Sequence, residues 1–317
     1  MTVWTTEQRF LNEEHHHIFE HTKDIPGWQE PGDSYKLYEM GYRAGDVILE
    51  IGTYGGRSAV VEIQGALANP DASTKPQYFG IDLDINGIWR TASTLEKFDL
   101  TNYCLLFHGT LSDFVKEFHI QPTMVFVDGD HSYEGVKSDL LLLKSFLVPG
   151  TPILCHDYKN PQNETGELGV RQAVNEFIEE GYGESVGTFG CSILLLATNE
   201  CDGVAISKLS EQEFSERKAD LLWRIGKNMY GGISSMRKQL QQSRTKIEQL
   251  EQSRAELEQS QSSIQTLEQE MSEQLEQSRA ELEQSQSRIQ AMESSKFWKM
   301  RLAWFKVKNM LGISETP

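Results

Sequence analysis

The sequence predicts an α/β fold: a doubly wound, mostly parallel sheet with an antiparallel edge hairpin, followed by a C-terminal α-helical coiled-coil extension. Between about residues 40 and 200, strand-like apolar runs alternate with helical segments, the pattern of parallel strands joined by helices. Several of these runs end in an acidic residue or a histidine. From residue 236 to 295 the chain is rich in Glu, Gln, Ser and Leu and has no Gly or Pro.

Residues 1–35 are expected to form an N-terminal helical cap. Residues 6–22 look helical, and the Pro- and Gly-containing segments 24–28 and 31–33 follow as breakers. This helix carries three adjacent histidines, which point in different directions, and His21 lies one turn beyond His17. A histidine pair with this spacing could bind a metal. A solvated helix, or a lid edge over a ligand site, is the favoured interpretation.

The strands and helices of the central region follow one another regularly. Strands are predicted near 47–51, 77–82, 102–107, 123–128 and 151–156. Helices are predicted near 57–68, 86–98, 111–118, 133–147 and 168–180. Residues 184–188 and 192–196 are predicted to form the antiparallel edge hairpin, so helices should cover both faces of a parallel sheet.

A glycine-rich loop follows the first strand and precedes the first helix of this region. The run 47–58 reads Val-Ile-Leu-Glu-Ile-Gly-Thr-Tyr-Gly-Gly-Arg-Ser, which places Glu50 near a strand end and Ser58 at a helix start. Such loops let backbone N–H groups approach a ligand. The loop has no lysine for a P-loop, and Tyr54 stands at the middle glycine of a dinucleotide fingerprint. A plain strand–turn–helix connection remains the alternative.

Polar residues also end the later strands. Asp82 ends the second strand, where a carboxylate is well placed to accept bonds from ribose hydroxyls. The fourth strand leads into Asp-Gly-Asp-His at 128–131, and the fifth into His-Asp-Tyr at 156–158. Because the carboxyl ends of parallel strands form the ligand crevice, these groups should converge.

With these motifs the chain resembles the class I S-adenosylmethionine-dependent methyltransferases over about residues 40–200. It looks most like the branch with Glu-Ile-Gly-Thr-Tyr-x-Gly-x-Ser, Asp-Gly-Asp-His-Ser-Tyr-Glu-Gly-Val and His-Asp-Tyr. The resemblance implies a seven-stranded Rossmann-like sheet, with the methyltransferase domain at 36–205. The cofactor-binding residues that it implies are Glu50, Gly52, Thr53, Tyr54, Gly55, Gly56, Ser58, Asp82, Gly109, Thr110 and Asp128.

Within that set, the glycines would allow close approach to the methionine part of the cofactor. Glu50 would hold the amino group directly or through water, and Asp82 would bind the ribose hydroxyls. The turn 108–110 would lie by the adenine. His131 is the predicted general base, because its unperturbed pKa lies close to working pH.

Asp128, His156 and Asp157 form the predicted metal site, for Mg²⁺ or Mn²⁺. Here the chain is similar to metal-dependent sugar O-methyltransferases that modify macrolides. His156 stands where those enzymes have a carboxylate. The alternative is therefore that His156 and Asp157 shape the acceptor pocket by hydrogen bonds alone.

The C-terminal third is predicted to be helical, as a connector at 206–235, a coiled coil at 236–295 and a basic aromatic tail at 296–317. The segment 250–262 recurs almost unchanged at 275–287. One heptad frame places Leu240, Ile247, Leu275, Leu282 and Ile289 at one seam position, and Met236, Leu250, Leu257, Ile264, Met271 and Met292 at the other. The seam is interrupted, so an oligomerisation element, a spacer and a solvated helix all stay open. The tail suits a membrane interface, a partner groove or packing in a dimer.

Composition limits the remaining classes. A chain of 317 residues with 38% hydrophobic content can form one large domain with a core plus an extension. Its net charge of −17 disfavours a nucleic-acid partner. The absence of a long apolar run and of a signal-peptide pattern predicts a cytoplasmic protein, peripheral at the inner face of the membrane if the tail binds lipid. The four cysteines lack Cys-x-x-Cys spacing, which favours reduced, packed thiols.

The predicted function is S-adenosylmethionine-dependent O-methylation of a hydroxyl on a sugar, a surface glycan or a glycosylated metabolite. The acceptor is a small molecule or a glycan, and the coiled coil predicts a homo-oligomer. Two other functions are weighed against this one. The first is a nucleotide-dependent oxidoreductase, which Tyr54 and the lack of a substrate domain disfavour. The second is a non-catalytic assembly protein that uses a methyltransferase fold with a coiled-coil arm.

Overall fold

The computed structural model describes Trp4 and residues 9–72, 74–198 and 208–311, without the side chains of 228–240 and 298. The chain divides into two compact units, Met1–Ile233 and Ser234–Pro317. The first unit holds the sheet, and the second holds most of the long C-terminal helix.

The sheet has seven strands in the order β3-β2-β1-β4-β5-β7-β6. They are β1 (Val47–Ile51), β2 (Gln77–Asp82), β3 (Cys104–His108), β4 (Met124–Val127), β5 (Pro152–Cys155), β6 (Gly183–Phe189) and β7 (Ser192–Ala197). The first five pair in parallel, whereas β7 runs antiparallel to both β5 and β6. The predicted doubly wound sheet with an antiparallel edge hairpin is confirmed.

The helices of the first unit are α1 (Glu13–Thr22), α2 (Pro31–Ala44), α3 (Arg57–Leu67), α4 (Ile85–Lys97), α5 (Leu111–Glu117), α6 (Tyr133–Lys144), α7 (Gln162–Thr165) and α8 (Val170–Glu179). A short 3₁₀ turn at Thr101–Tyr103 precedes β3. Helix α9 (Glu211–Ser294) begins in this unit, and α10 (Lys296–Met310) follows it in the chain.

Two apolar clusters cover the two faces of the sheet. Alternate residues of β1 point to opposite faces, so Val47 and Leu49 join one cluster and Ile48 joins the other. Helices α5, α6, α8 and the start of α9 supply the first cluster, and α1 to α4 supply the second. The sheet is therefore the middle of three layers, which fixes the carboxyl ends of β1 to β5 at one edge.

Helix α2 differs from the sequence prediction. The segment 31–33 was interpreted as a breaker, yet Pro31 begins a helix of 14 residues. Proline is favoured at the first helical position, where its missing N–H would have no partner anyway. Glu30 and Asp33 form a reciprocal capping box at this helix start.

Helix α1 also corrects one expectation. His15 is buried and stacks on Tyr38, with 4.8 Å between the ring centroids, so it belongs to the packed interior. His16 is exposed and His17 partly exposed, in keeping with the predicted solvated face. The beginning of the predicted helix, residues 6–8, lies outside the described residues.

The cysteines agree with the predicted packed thiols where they are described. Cys104, Cys155 and Cys191 are buried and free, and burial raises the pKa of the Cys104 thiol to about 11. Cys201 lies outside the described residues. None of the helices described here carries an apolar stretch long enough to cross a bilayer.

The second unit is helical, formed by the rest of α9 and by α10. Its described seam residues are exposed, for example Leu250 at 63% and Met271 at 70%. In α10 the side chains of Phe297, Met300 and Trp304 are exposed as well. An exposed apolar seam at heptad spacing is a surface that a partner helix can cover.

Candidate functional site

A cavity of about 680 Å³ lies at the carboxyl ends of the parallel strands. The loops after β1, β2, β3, β4 and β5 line it, together with residues 26–29 from the loop between α1 and α2. This is the place where open α/β sheets bind ligands, and the volume lies within the usual range for small-molecule sites.

The backbone of the glycine loop requires glycine at two positions. Gly52 and Gly56 have left-handed backbones, with φ of 89° and 80°. A Cβ on Gly52 would lie 2.1 Å from the Asp128 carbonyl oxygen, and one on Gly56 would lie 3.0 Å from Thr91 Cα. Gly52 and Gly56 are therefore required for packing of the loop against the protein, and their expected role beside the cofactor stays a prediction.

Asp82 holds this loop in place. Its Oδ2 accepts hydrogen bonds from the backbone N–H groups of Thr53 (3.0 Å) and Tyr54 (2.9 Å). Its Oδ1 accepts one from the N–H of Asp84, at 2.8 Å. Asp82 lines the cavity, so it can both position the loop and bind a hydroxyl with its remaining lone pairs.

Glu50 lies elsewhere than predicted. It shares the sheet face of Ile48, is fully buried and is not among the residues that line the cavity. Its carboxyl accepts hydrogen bonds from the hydroxyls of Ser58 and Tyr78. Burial raises the pKa of Glu50 to about 8. Burial also raises the pKa of Glu62, a carboxyl with no hydrogen-bond partner in the described chain. Glu50 therefore cannot contact a ligand in the cavity directly.

The remaining predicted cofactor residues do meet at the cavity. Thr53, Tyr54, Gly55 and Ser58 line it, with the Tyr54 ring 59% exposed. Gly109 and Thr110 line the cavity from the loop after β3. Thr110 also caps α5, because its hydroxyl accepts a bond from the N–H of Asp113.

Two aspartates and two histidines come together at the other end of the cavity. One nitrogen or oxygen from each of Asp128, His131, His156 and Asp157 lies within 4.8 Å of the others. His131 Nε2 is 3.1 Å from Asp157 Oδ2 and 3.3 Å from Asp128 Oδ1. His156 Nδ1 is 3.0 Å from Asp128 Oδ1. The predicted metal residues are thus adjacent, and the predicted base lies among them.

The carboxylates change the acid–base state of both histidines. Hydrogen bonds to Asp128 and Asp157 raise the pKa of His131 to about 10. Burial lowers the pKa of His156, but the nearby Asp128 carboxylate outweighs it and the net pKa is raised. The two carboxylates therefore favour the protonated form of both imidazoles. In this setting the pKa of His131 lies above the unperturbed value that the sequence analysis uses.

Asp33 is a site residue that the sequence interpretation missed. It is fully buried, and its Oδ2 lies 3.8 Å from His156 Nε2. Its Oδ1 accepts hydrogen bonds from the N–H groups of Cys191 and Ser192, each at 3.0 Å, and from the Ser192 hydroxyl at 2.7 Å. The capping-box spacing from Glu30 to Asp33 was the available signal, and it indicated a helix start and not a site.

Trp28 and Arg57 are two further residues that the motifs did not assign. Trp28 lines the cavity, is 58% exposed and has its ring centroid 5.7 Å from that of His156. Arg57 also lines the cavity but is only 6% exposed. The exposed tryptophan could have been suspected from its position between breakers, whereas burial of an arginine depends on tertiary packing.

Residues 49–158 match a family profile described as "Methyltransferase domain". No curated protein sequence matches the chain. The matched residues lie within the segment 36–205, for which the resemblance implies a methyltransferase domain.

Among solved structures, the chain is similar to the O-methyltransferase from Bacillus cereus in complex with SAH. The identity is 15%, the similarity covers 59% of this chain and 91% of that one, and the TM-score is 0.45. It is also similar to the O-methyltransferase TomG from Streptomyces achromogenes, involved in tomaymycin synthesis and in complex with SAM. The identity is 19%, the similarity covers 62% of this chain and 93% of that one, and the TM-score is 0.45. A third similar structure is the SAH-bound Podospora anserina methyltransferase PaMTH1. The identity is 16%, the similarity covers 60% of this chain and 89% of that one, and the TM-score is 0.47.

Proposed function

We propose that this chain, whose residues 49–158 match the methyltransferase-domain profile, is an S-adenosylmethionine-dependent class I O-methyltransferase. The acceptor that we propose is a hydroxyl of a sugar, a surface glycan or a glycosylated metabolite. One observation carries the proposal: a single cavity joins the Asp82-anchored loop at one end to the cluster of Asp128, His131, His156 and Asp157 at the other.

The loop end suits the cofactor. S-adenosylmethionine would supply a methyl group on a positively charged sulfur. Asp82 would accept bonds from the ribose hydroxyls, and the turn with Gly109 and Thr110 would lie beside the adenine. Ser58 at the start of α3 would face the amino-acid part, with Glu50 acting through Ser58 and not by direct contact. Asp128, which lines the cavity and belongs to the Asp/His cluster, would contact the methionine side.

The cluster end suits a hydroxyl acceptor. The Trp28 ring is half exposed beside His156, so the C–H face of a sugar ring could pack on it. Carboxylate oxygens and imidazole nitrogens are suitable donors for Mg²⁺ or Mn²⁺. Asp128, His156 and Asp157 would hold such a cation, which would favour ionisation of a bound hydroxyl. To bind a cation, His156 would have to be neutral and to exchange its contact with Asp128, 3.0 Å from its Nδ1, for the metal.

His131 would receive the acceptor proton. Its two carboxylate neighbours hold it as a cation when they are free. Binding of a cation by Asp128 and Asp157 would weaken that hold and leave the imidazole neutral, as a base must be. The cation and the base are thus parts of one proposal for this end of the cavity.

Binding of S-adenosylhomocysteine tests the proposed cofactor. Asp82→Ala is expected to weaken binding by about 1.5–3 kcal/mol, the range for losing hydrogen bonds to a charged group. Asp82→Asn keeps an oxygen for the loop N–H groups, so the loop should stay ordered while part of the ribose contact is lost. Titration calorimetry measures both, with the exposed Asp71→Ala as a surface control.

Three results would count against the assignment. Equal affinity in wild type and Asp82→Ala would remove Asp82 from the cofactor site. Binding of NADH in place of S-adenosylhomocysteine would favour an oxidoreductase. Binding of neither by a folded protein would favour an assembly role.

For the C-terminal unit we propose self-association through the exposed seam of α9, with α10 as a peripheral membrane contact. The seam is apolar at heptad spacing but interrupted, which predicts a weak coiled coil. In α10 lysines and arginines alternate with exposed aromatic side chains, a composition that suits an interface with anionic lipid. We therefore propose a cytoplasmic protein that attaches at the inner face of the membrane.

Shortening the chain to residues 1–233 tests both proposals. That segment is a compact unit containing the sheet, so it should fold and keep its affinity for S-adenosylhomocysteine. The full chain is expected to show a higher mass by light scattering and to sediment with anionic liposomes, whereas residues 1–233 should do neither. If the two proteins have the same number of protomers and neither binds liposomes, the C-terminal unit is a solvated extension.

A further inference from the structure

The exposed seam of α9 changes its apolar position halfway along the helix. In heptad letters, Ile247 and its equivalents hold position a, and Leu250 and its equivalents hold position d. The second copy of the segment 250–262 begins at 275, three heptads and four residues later, so its leucines move from d to a. The exposed seam residues are therefore Leu250, Leu257, Ile264 and Met271 at d, followed by Leu275, Leu282 and Ile289 at a.

A parallel pair of such helices would place like charges in its seam. In a parallel coiled coil each seam position faces the same position of the other chain. Arg254 would then face Arg254, and Glu268 would face Glu268, within the contact between the helices. Like charges repel more strongly when they are partly removed from water. The polar residues at a therefore disfavour parallel pairing.

An antiparallel pair makes the two halves of the seam complementary. In this arrangement position a of one chain faces position d of the other, so the half with apolar d residues meets the half with apolar a residues. One register pairs apolar residues throughout: Leu250 with Ile289, Leu257 with Leu282, and Ile264 with Leu275. The next layer outward, Ile247 with Met292, is apolar as well.

Polar seam residues also face polar residues in this register. The pairs are Arg254 with Ser285 and Gln261 with Ser278. Arg254 Nε forms an ion pair with Glu258 Oε1 of the same helix at 3.0 Å, so the guanidinium reaches out of the seam and only the stem of the side chain lies in it. A small serine opposite leaves room for that stem.

Charges beside the seam favour the same register. In an antiparallel pair the e positions of the two chains face each other, which sets Glu258 opposite Arg279 of the second copy. A slide of one heptad toward the C-terminal end would instead set Glu251 opposite Glu293. The opposite slide would set isoleucines against serines. Both neighbouring registers therefore lose a favourable contact.

We propose that α9 pairs with a second copy of itself in antiparallel orientation, in the register that sets Leu257 opposite Leu282. The inference rests on the proposed self-association and adds its direction and register. The two-fold axis passes between residues 269 and 270, and the helices share about 70 Å of length between residues 247 and 292. The two α10 helices then follow the coil at opposite ends of the pair.

Cysteines in the seam of the full-length chain test direction and register. Leu257→Cys, Leu282→Cys and Ile289→Cys are prepared separately, with tags of different size, and oxidised alone or after mixing. The mixture of Leu257→Cys and Leu282→Cys should give a covalent heterodimer, because the two Cα atoms would lie within reach of a disulfide. Each variant alone should give no covalent dimer beyond that of wild type. Leu257→Cys mixed with Ile289→Cys is the matched control, out of register by about 10 Å.

Charge reversal beside the seam gives a second readout. Arg279→Glu sets a glutamate opposite Glu258 at two symmetric places, so the association constant should fall by about 3- to 10-fold. Arg288→Glu is the matched control, because position 288 faces Ser253 in the proposed register. In a parallel pair the two results would be reversed, since Arg288 would face Glu293 and Arg279 would face an uncharged residue. Sedimentation equilibrium measures the association, and circular dichroism checks that both variants stay helical.

The outcomes separate this inference from the self-association on which it rests. A covalent dimer of Leu257→Cys alone would show parallel pairing, which overturns the antiparallel arrangement and keeps the self-association. Stronger cross-linking of Leu257→Cys with Ile289→Cys than with Leu282→Cys would overturn the register. A wild-type chain with the mass of one protomer in light scattering would overturn both proposals.

Discussion

Replacing His131 by alanine is expected to lower the turnover of methyl transfer by about 10²–10⁴-fold, the usual contribution of a general base. The imidazole lies among Asp128, His156 and Asp157, at the end of the cavity where we propose that the acceptor binds. The affinity for S-adenosylhomocysteine should therefore change little. Transfer of a labelled methyl group to a panel of nucleotide sugars and glycans would measure the rate, with the exposed His119→Ala as a matched control.

The same assay separates the base from the cation. If Asp128, His156 and Asp157 bind a divalent ion, a chelator should inhibit transfer, and Mg²⁺ or Mn²⁺ should restore it. Asp157→Asn should then mimic the chelated state and lose nothing further when chelator is added. An enzyme that ignores chelator yet depends on His131 would keep the base and remove the metal. Full activity of His131→Ala would overturn the mechanism.

Replacing Asp33 by alanine is expected to destabilise the protein by about 3–5 kcal/mol, the cost of breaking a buried charged network. The change would leave the N–H groups of Cys191 and Ser192 buried and unpaired, and would remove one of the three carboxylates near His156. Urea denaturation followed by circular dichroism would measure the free energy of unfolding.

Asp33→Asn is the matched control for this prediction. Its amide oxygen can still accept from Cys191 and Ser192, so the free energy of unfolding should fall by clearly less than in Asp33→Ala. A loss below about 1 kcal/mol in Asp33→Ala, the value of an ordinary exposed contact, would show that the hairpin does not depend on this carboxylate.

The sheet could be predicted from sequence because its signals are local. The strand expected at 47–51 is Val47–Ile51, and the helix expected at 57–68 is Arg57–Leu67. Strands buried on both faces appear as continuous apolar runs, and the strand-end motifs mark where they stop. The convergence of Asp128 and His156 followed from the same rule.

Two properties of the site could not be predicted from the sequence: which face of the sheet a side chain takes, and which distant residues it contacts. Glu50 shares the face of Ile48 through the two-residue period of the strand and is therefore buried beneath the loop it was expected to serve. The raised pKa of His131 has a local cause in Asp128, three residues away, and a distant one in Asp157, which reaches it from another strand end and could not be foreseen. The sequence predicts a break in the helix at Pro31, whereas the structure begins a helix there, because proline also suits the first helical position.

The hydrogen bond between Asp33 and Ser192 joins positions 159 residues apart. During synthesis, one partner is therefore present long before the other. Asp33 lies on the second helix to leave the ribosome, whereas Ser192 opens the last strand of the sheet. A nascent chain that has emerged only as far as residue 160 already contains the glycine loop, Asp82 and all four members of the Asp/His cluster. It still lacks β7, the strand that pairs with β5 just before His156. The contacts of Asp33 with Ser192 can therefore form only when nearly all of the first unit has been synthesised.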